Sequence, residues 1–213
     1  MSEHAKPALS VGDLIGRHVT LERMRIDHVD ALVAAGSGDR STFGFTGVPD
    51  GLEQAAEYVT GLVNDAERSR CAPFVQRRVA DGVIVGCTRY MSPAWPLGRR
   101  EPDEVEVGGT WLAADAQRSP INTEAKLLLL TNAFEAWDVR RVAICTDSRN
   151  DRSRRAIERL GATFEGVLRQ HRASTAAGEA GTLRDTAVYS IIAAEWPGIK
   201  AGLDAGLESR QAR

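Results

Sequence analysis

Three short stretches of this chain bring together residue types that can bind an anion or move a proton. The first is Gln117-Arg118-Ser119-Pro120-Ile121-Asn122-Thr123-Glu124-Ala125, a polar turn that runs into an apolar-periodic helix. Unpaired N–H groups and the dipole at such a helix start favour a phosphate. Ser119 followed by Pro120 equally suits plain helix initiation, with serine as the cap and proline at the first position. The second stretch places Asn150 at a helix start and Ser153 one turn later, both able to hydrogen-bond a ligand's amides. Five arginines fall between Arg149 and Arg159 in a chain of net charge -2, a local excess suited to a phosphorylated ligand. A solvated, salt-bridged helix face would carry the same residues. The third stretch, 104–112, is strand-like but contains the adjacent glycines Gly108 and Gly109, which a strand tolerates where a bulge or a close approach by another molecule needs them.

Composition limits what else this chemistry can be. The chain has 213 residues, 43% hydrophobic and 26% charged, enough for one sizeable core. With 27 Lys and Arg against 29 Asp and Glu, it lacks the global basic excess of a general nucleic-acid binder. Cys71, Cys87 and Cys145 are odd in number and form no C-x-x-C pair, which argues against a disulfide framework and a zinc site. His4, His18, His28 and His171 show no metal-ligand spacing, so no metal is expected. Neither G-x-S-x-G nor G-x-x-x-x-G-K-[ST] occurs, so serine hydrolases and P-loop enzymes are excluded. The aliphatic run Leu127 to Leu130 is far short of the roughly 20 residues of a membrane helix. The first residues carry no signal-peptide stretch, and a cytoplasmic protein is expected.

The elements that must position these stretches follow from periodicity. Strands are expected over 18–24, 73–79, 83–90, 104–112, 141–146, 163–172 and 183–192, with Asp81-Gly82 as a hairpin turn. Helices are expected over 27–35, 52–66, 121–137 and 150–160, the last closed by Gly161 as a left-handed C-cap. The fold class is α/β, a mixed sheet with helices on both faces. Residues 1–13 read as a flexible extension, 14–197 as a single domain, and 198–213 as a loose tail.

In order and spacing, Glu106-Val107-Gly108-Gly109-Thr110-Trp111-Leu112, the 117–125 stretch, and 150–162 with its Asn-x-x-Ser start and Leu-Gly-Ala end resemble the GNAT superfamily of N-acetyltransferases. The likeness spans about 14–194 and is greatest to the RimJ/RimL-like branch, the ribosomal-protein N-terminal acetyltransferases. The resemblance implies a six- or seven-stranded mixed sheet whose strands four and five splay into a V. Acetyl-CoA lies in that slot, with its pyrophosphate on the helix after strand four. Cofactor contacts are then expected from Trp111, Leu112 and Ala113, from Gln117, Arg118, Ser119, Ile121, Asn122 and Thr123, and from Asn150, Ser153 and Arg154. Pro120 and Asn122 stand where the family's loop has glycines; proline offers no N–H, and the Asn122 side-chain amide can compensate.

Acetyl transfer to an amine needs a neutral nucleophile, a polarised thioester carbonyl and a leaving thiolate. By resemblance, a backbone N–H near Trp111 to Ala113 meets the carbonyl oxygen and Ser153 donates to the sulfur. Residues 154–160 lack the tyrosine that many GNAT enzymes place on this helix. Glu106 is the first candidate base, through water, and His171 the second. The branch's glutamate falls near Arg172 here and does not carry over. The expected partners are acetyl-CoA and an amine acceptor, with no membrane or nucleic acid; the branch often forms homodimers. A non-catalytic acyl-CoA-binding module, or an RNA-associated protein using the Arg149 to Arg159 face, are the alternatives from other classes.

Overall fold

The structure, a computed structural model, describes residues 9–211. The chain opens with strands β1 (Leu14–Ile15) and β2 (Val19–Arg23), then helices α1 (Val29–Gly36) and α2 (Gly51–Glu67). A meander of β3 (Cys71–Arg78), β4 (Ile84–Ala94) and β5 (Glu104–Leu112) follows. Helix α3 (Ile121–Thr131), strand β6 (Arg141–Asp147) and helix α4 (Asp151–Arg159) come next. The hairpin β7 (Thr163–Ala173) and β8 (Leu183–Ile192) leads into helix α5 (Trp196–Gln211). The eight strands form one sheet in the order β1-β2-β3-β4-β5-β6-β8-β7, antiparallel except for β5 beside β6. The expected six or seven strands become eight because the two-residue β1 pairs with the outer edge of β2.

Alternation along the central strands sends side chains to two cores. Val105, Val107, Val142, Ile144, Tyr189 and Ile191 pack against residues of α3, α4 and α5 on one face. Val75, Ile84, Cys87 and Trp111 pack against α1 and α2 on the other. Helix α3 is pinned to the far edge of the sheet by Glu124, whose buried carboxylate accepts the backbone amides of Arg17, His18 and Val19 at 2.8, 2.6 and 2.8 Å.

Three expectations need correction. The helix expected over 121–137 leaves α geometry after Thr131 and ends in a π-type turn in which Trp137 N donates to Asn132 O, five residues back. The widened turn still directs Phe134 and Trp137 into the core. Residues from 198 onward are not a loose tail: α5 buries Trp196, Leu203 and Leu207, and Trp196 stacks on Phe134 with ring centroids 5.4 Å apart. The end of the N-terminal extension is likewise anchored, since Leu9 is buried and Ser10 O accepts Trp137 Nε1 at 3.1 Å. Residues 1–8 lie outside the described residues. Among the described residues, no helix is long and apolar enough to cross a membrane.

Candidate active site

The two parallel strands part company early. β5 and β6 pair only through Glu104 with Arg141, Val105 with Val142 and Glu106 with Ala143, although β5 runs on to Leu112 and β6 to Asp147. A V opens beyond Glu106. Its cause lies in β5, where Arg89 of β4 faces Gly108 and Cys87 faces Trp111, leaving Gly109 and Thr110 together opposite Thr88. This is a bulge, and Gly109 takes a φ of +56° in it. A Cβ at Gly109 would fall 2.5 Å from the Arg89 guanidinium. Of the two roles left open for the glycine pair, a bulge or a close approach by another molecule, the structure shows the bulge.

Both faces lock that bulge. On the α3 face, Lys126 Nζ donates to Thr110 Oγ1 at 2.7 Å, and Thr110 and Thr88 share a hydroxyl contact of 2.8 Å. Burial pushes the Lys126 ammonium down to about 8. On the α2 face, Arg89 donates to Tyr58 Oη, which lies 3.2 Å from Cys87 Sγ.

Beyond the bulge the amides alternate between β4 and the gap. Ala113 N donates to Val85 O at 2.7 Å, so the amides of Ala113 and, two residues earlier, Trp111 turn toward β4. Of the three residues expected to offer a main-chain donor, Leu112 is the one whose N–H and C=O face the V. Its carbonyl accepts Gln117 Nε2 at 2.9 Å from that side. The Trp111 side chain is buried against Phe43, edge to face at 6.0 Å.

The chain then turns into α3 through Arg118, which takes a left-handed φ of +61°. Ser119 Oγ donates to Ala116 O at 2.6 Å and accepts Ile121 N at 3.3 Å, so this hydroxyl and amide serve the turn. The Ile121 side chain is in the core. The first helical bond is Glu124 N to Pro120 O, which leaves the amides of Asn122 and Thr123 without an intrahelical acceptor. Pro120 sits before them at the cap, where its missing N–H removes nothing from that pair.

Across the V, Asn150 caps α4 by accepting Ser153 N at 3.0 Å, and Ser153 Oγ makes no hydrogen bond among the described residues. The Arg154 guanidinium donates to Tyr189 Oη at 3.1 Å and to Ser148 O at 3.3 Å and lies over the Phe164 ring. Arg152, two residues earlier, spans a different set of elements. Its guanidinium donates to Gln117 Oε1 at 2.8 Å and to Thr42 O at 3.3 Å, a strut from α4 to the loop before α3 and the loop after α1. Its position in the arginine-rich stretch was the signal available in the sequence, but the stretch did not rank its members.

At the crotch of the V, on the face shared with α1 and α2, stands Glu106. It is buried, and both its oxygens are held by Arg172, at 2.8 and 2.6 Å. Register shifts in β7 between Phe164 and Gly166 and between Leu168 and Arg172 curl the hairpin so that Arg172, on the sheet's last strand, reaches β5. His171 is exposed beside it. Cys145 lies next to this pair, and burial together with the Glu106 charge pushes its thiol up to about 12. The hairpin tip closes on the loop between α1 and α2. Thr175 Oγ1 donates to Phe45 O at 2.8 Å, and Arg149 lies over the Phe45 ring while bonding Asp147 and Glu179. Those Arg149 bonds hold the Glu179 carboxyl down at about 2.

A parallel strand pair that parts after three rungs, a bulge at the fork and a helix start facing it together define a GNAT-type acetyltransferase. The chain belongs to this family: the family description "Acetyltransferase (GNAT) domain" matches residues 18–163. Among its relatives is YdaF of Bacillus subtilis (strain 168), provisionally named a ribosomal N-acetyltransferase, 36% identical over 142 residues that span 64% of this chain and 74% of YdaF. A solved structure from T. thermophilus, provisionally named an acetyltransferase, is 33% identical with a TM-score of 0.77, covering 93% of this chain and 98% of that one. A GCN5-related N-acetyltransferase from Brucella melitensis is 28% identical with a TM-score of 0.80, covering 94% and 87%. Enzymes of this family use acetyl-CoA.

Proposed function

We propose that this enzyme transfers the acetyl group of acetyl-CoA to a primary amine, a peptide N-terminus or a small-molecule amine, by direct attack while both substrates are bound. The observation that carries this reading is the loss of β5–β6 pairing beyond Glu106, which turns the main-chain groups of Leu112 into the same gap that the start of α3 faces. The residues present fit the cofactor. Unpaired amides at Asn122 and Thr123 suit a pyrophosphate, flanked by Arg118, Gln117 and Arg152. Bound there, acetyl-CoA supplies an activated acetyl group and a thiolate leaving group of pKa roughly 8.5.

The chain's own groups do the rest. The Leu112 N–H stabilises negative charge on the carbonyl oxygen, and Ser153 Oγ donates toward the sulfur. Glu106 takes the amine proton through water, with Arg172 orienting the carboxylate. The protonated Cys145 thiol is a poor nucleophile at neutral pH, which favours direct transfer over an acyl-cysteine intermediate. An α-amine of pKa roughly 8 costs about 3 kcal/mol less to present neutral than a lysine of roughly 10.4. That favours an N-terminal or other weakly basic acceptor.

The test pairs calorimetric titration of acetyl-CoA with thiol release across a panel of amines. Binding plus amine-dependent release, faster with α-amines than with lysine side chains at neutral pH, is the expected result; binding with no release from any amine would leave a non-catalytic module instead. In the same assay, Arg152→Ala is expected to raise KM for acetyl-CoA by about tenfold with kcat within about twofold, the signature of lost uniform binding. An unchanged KM would remove the strut from the cofactor site.

A further inference from the structure

Beside the V, on the Glu106 face of the sheet, the polar groups of β8 are not all satisfied. Arg184 and Thr186 lie two residues apart and so project to one face, with Thr186 registered opposite Asp147 of β6. Arg184 is registered opposite Arg172, and the two like charges act on each other. Arg172 is held by Glu106, while Arg149 holds both Asp147 and Glu179. Arg184 has no such partner: its Nε is cut off from solvent and hydrogen-bonded to nothing among the described residues. Thr186 is fully buried, and its Oγ1 is also without a partner. A buried donor left open costs free energy unless something completes it, and like charges directly opposite each other on neighbouring strands destabilise a sheet. Arg184 lies within electrostatic range of Glu106, Cys145, Asp147 and Arg172, the groups around the crotch where the amine must arrive.

We propose that Arg184, with Thr186 beneath it, forms an acceptor subsite for a carboxylate, so that the preferred amine carries an acidic group close to its nitrogen. This rests on the acetyltransferase reading above and specifies its acceptor. A carboxylate matches the planar edge that a half-buried guanidinium presents, and it offsets the Arg172–Arg184 repulsion. The carboxylate comes either from an acidic side chain near a peptide N-terminus or from the α-carboxylate of an amino acid.

Two matched acceptor pairs separate these sources: C-terminally amidated peptides beginning Ser-Asp or Ser-Asn, and serine against serinamide. For each acceptor kcat/KM is compared between wild type and the variants Arg184→Met and Thr186→Val, which cancels differences in amine basicity. Arg184→Met is expected to lose at least about tenfold more on the carboxylate member of one pair than on its amide twin, and Thr186→Val to lose in the same direction by less. The pair that responds identifies the source. Equal losses on both members of both pairs would overturn the subsite while leaving acetyl transfer standing. No thiol release by wild-type enzyme with any of the four amines would overturn the acetyltransferase reading and this proposal together. Acetyl-CoA titration of each variant checks that the slot is folded, and Arg184→Lys, which keeps the charge but loses the fork, is expected to fall between wild type and Arg184→Met.

Discussion

Replacing Glu106 with glutamine is expected to lower kcat by about 10²- to 10⁴-fold, the range of a lost general base, with KM for acetyl-CoA within about threefold. The physical grounds lie in its place at the fork. Glu106 is in the last residue pair before β5 and β6 separate, its carboxylate is almost wholly withdrawn from bulk water, and its charge is balanced by one bidentate arginine. Glutamine preserves the volume and one acceptor oxygen but cannot take a proton. It also leaves Arg172 facing a neutral amide, so unfolding is measured in parallel and the kinetics are run well below the melting temperature. Steady-state thiol release gives the answer: a kcat within about threefold of wild type would strip Glu106 of the base role and leave it a structural partner of Arg172.

The second large effect concerns stability. Glu124→Ala is expected to cost about 3–5 kcal/mol, because one carboxylate satisfies three backbone amides and its removal strands all of them at a partly buried turn. For a chain of this size that corresponds to a melting temperature lower on the order of 10 °C. In the wild type the turn fits tightly around this group, since a Cβ at Gly16 would stand 2.6 Å from the Glu124 carboxyl. Denaturant unfolding of wild type, Glu124→Ala and Glu124→Gln measures the effect, with glutamine intermediate because it retains one acceptor. A loss under about 1 kcal/mol in the alanine variant would mean that the β1–β2 turn finds other acceptors. The consequence reaches function, because Glu124 sits one residue after the unpaired amides of α3 and sets that helix start against the sheet.

Local chemistry was readable wherever it is local in sequence. The Gly108-Gly109 pair announced the bulge, Asn150 the cap of α4, and Gly161 the left-handed residue that ends it, with φ of +91°. The helix α5 shows where such reading breaks down. Trp196, Ile199, Leu203 and Leu207 are spaced as one apolar stripe, yet Gly198, Gly202 and Gly206 lower the helix propensity of the same segment. Trp196-Pro197 reads as an ending although proline is equally a helix-start residue. Burial against α3 decided the matter, and no short window contains that information.

What the sequence by itself determined is therefore the period of each element, the caps and the places where a strand or a helix start departs from regular geometry, because these depend on neighbours within one or two turns. Only the tertiary structure decided which charges meet. Glu106 and Arg172 are 66 positions apart, and Gln117 meets Arg152 from 35 away. These contacts exist because the bulged β7–β8 hairpin curls back over the sheet and because two strands diverge at one rung. A side chain's partner is set by where backbone curvature carries it, a property that residue type and spacing along the chain do not encode.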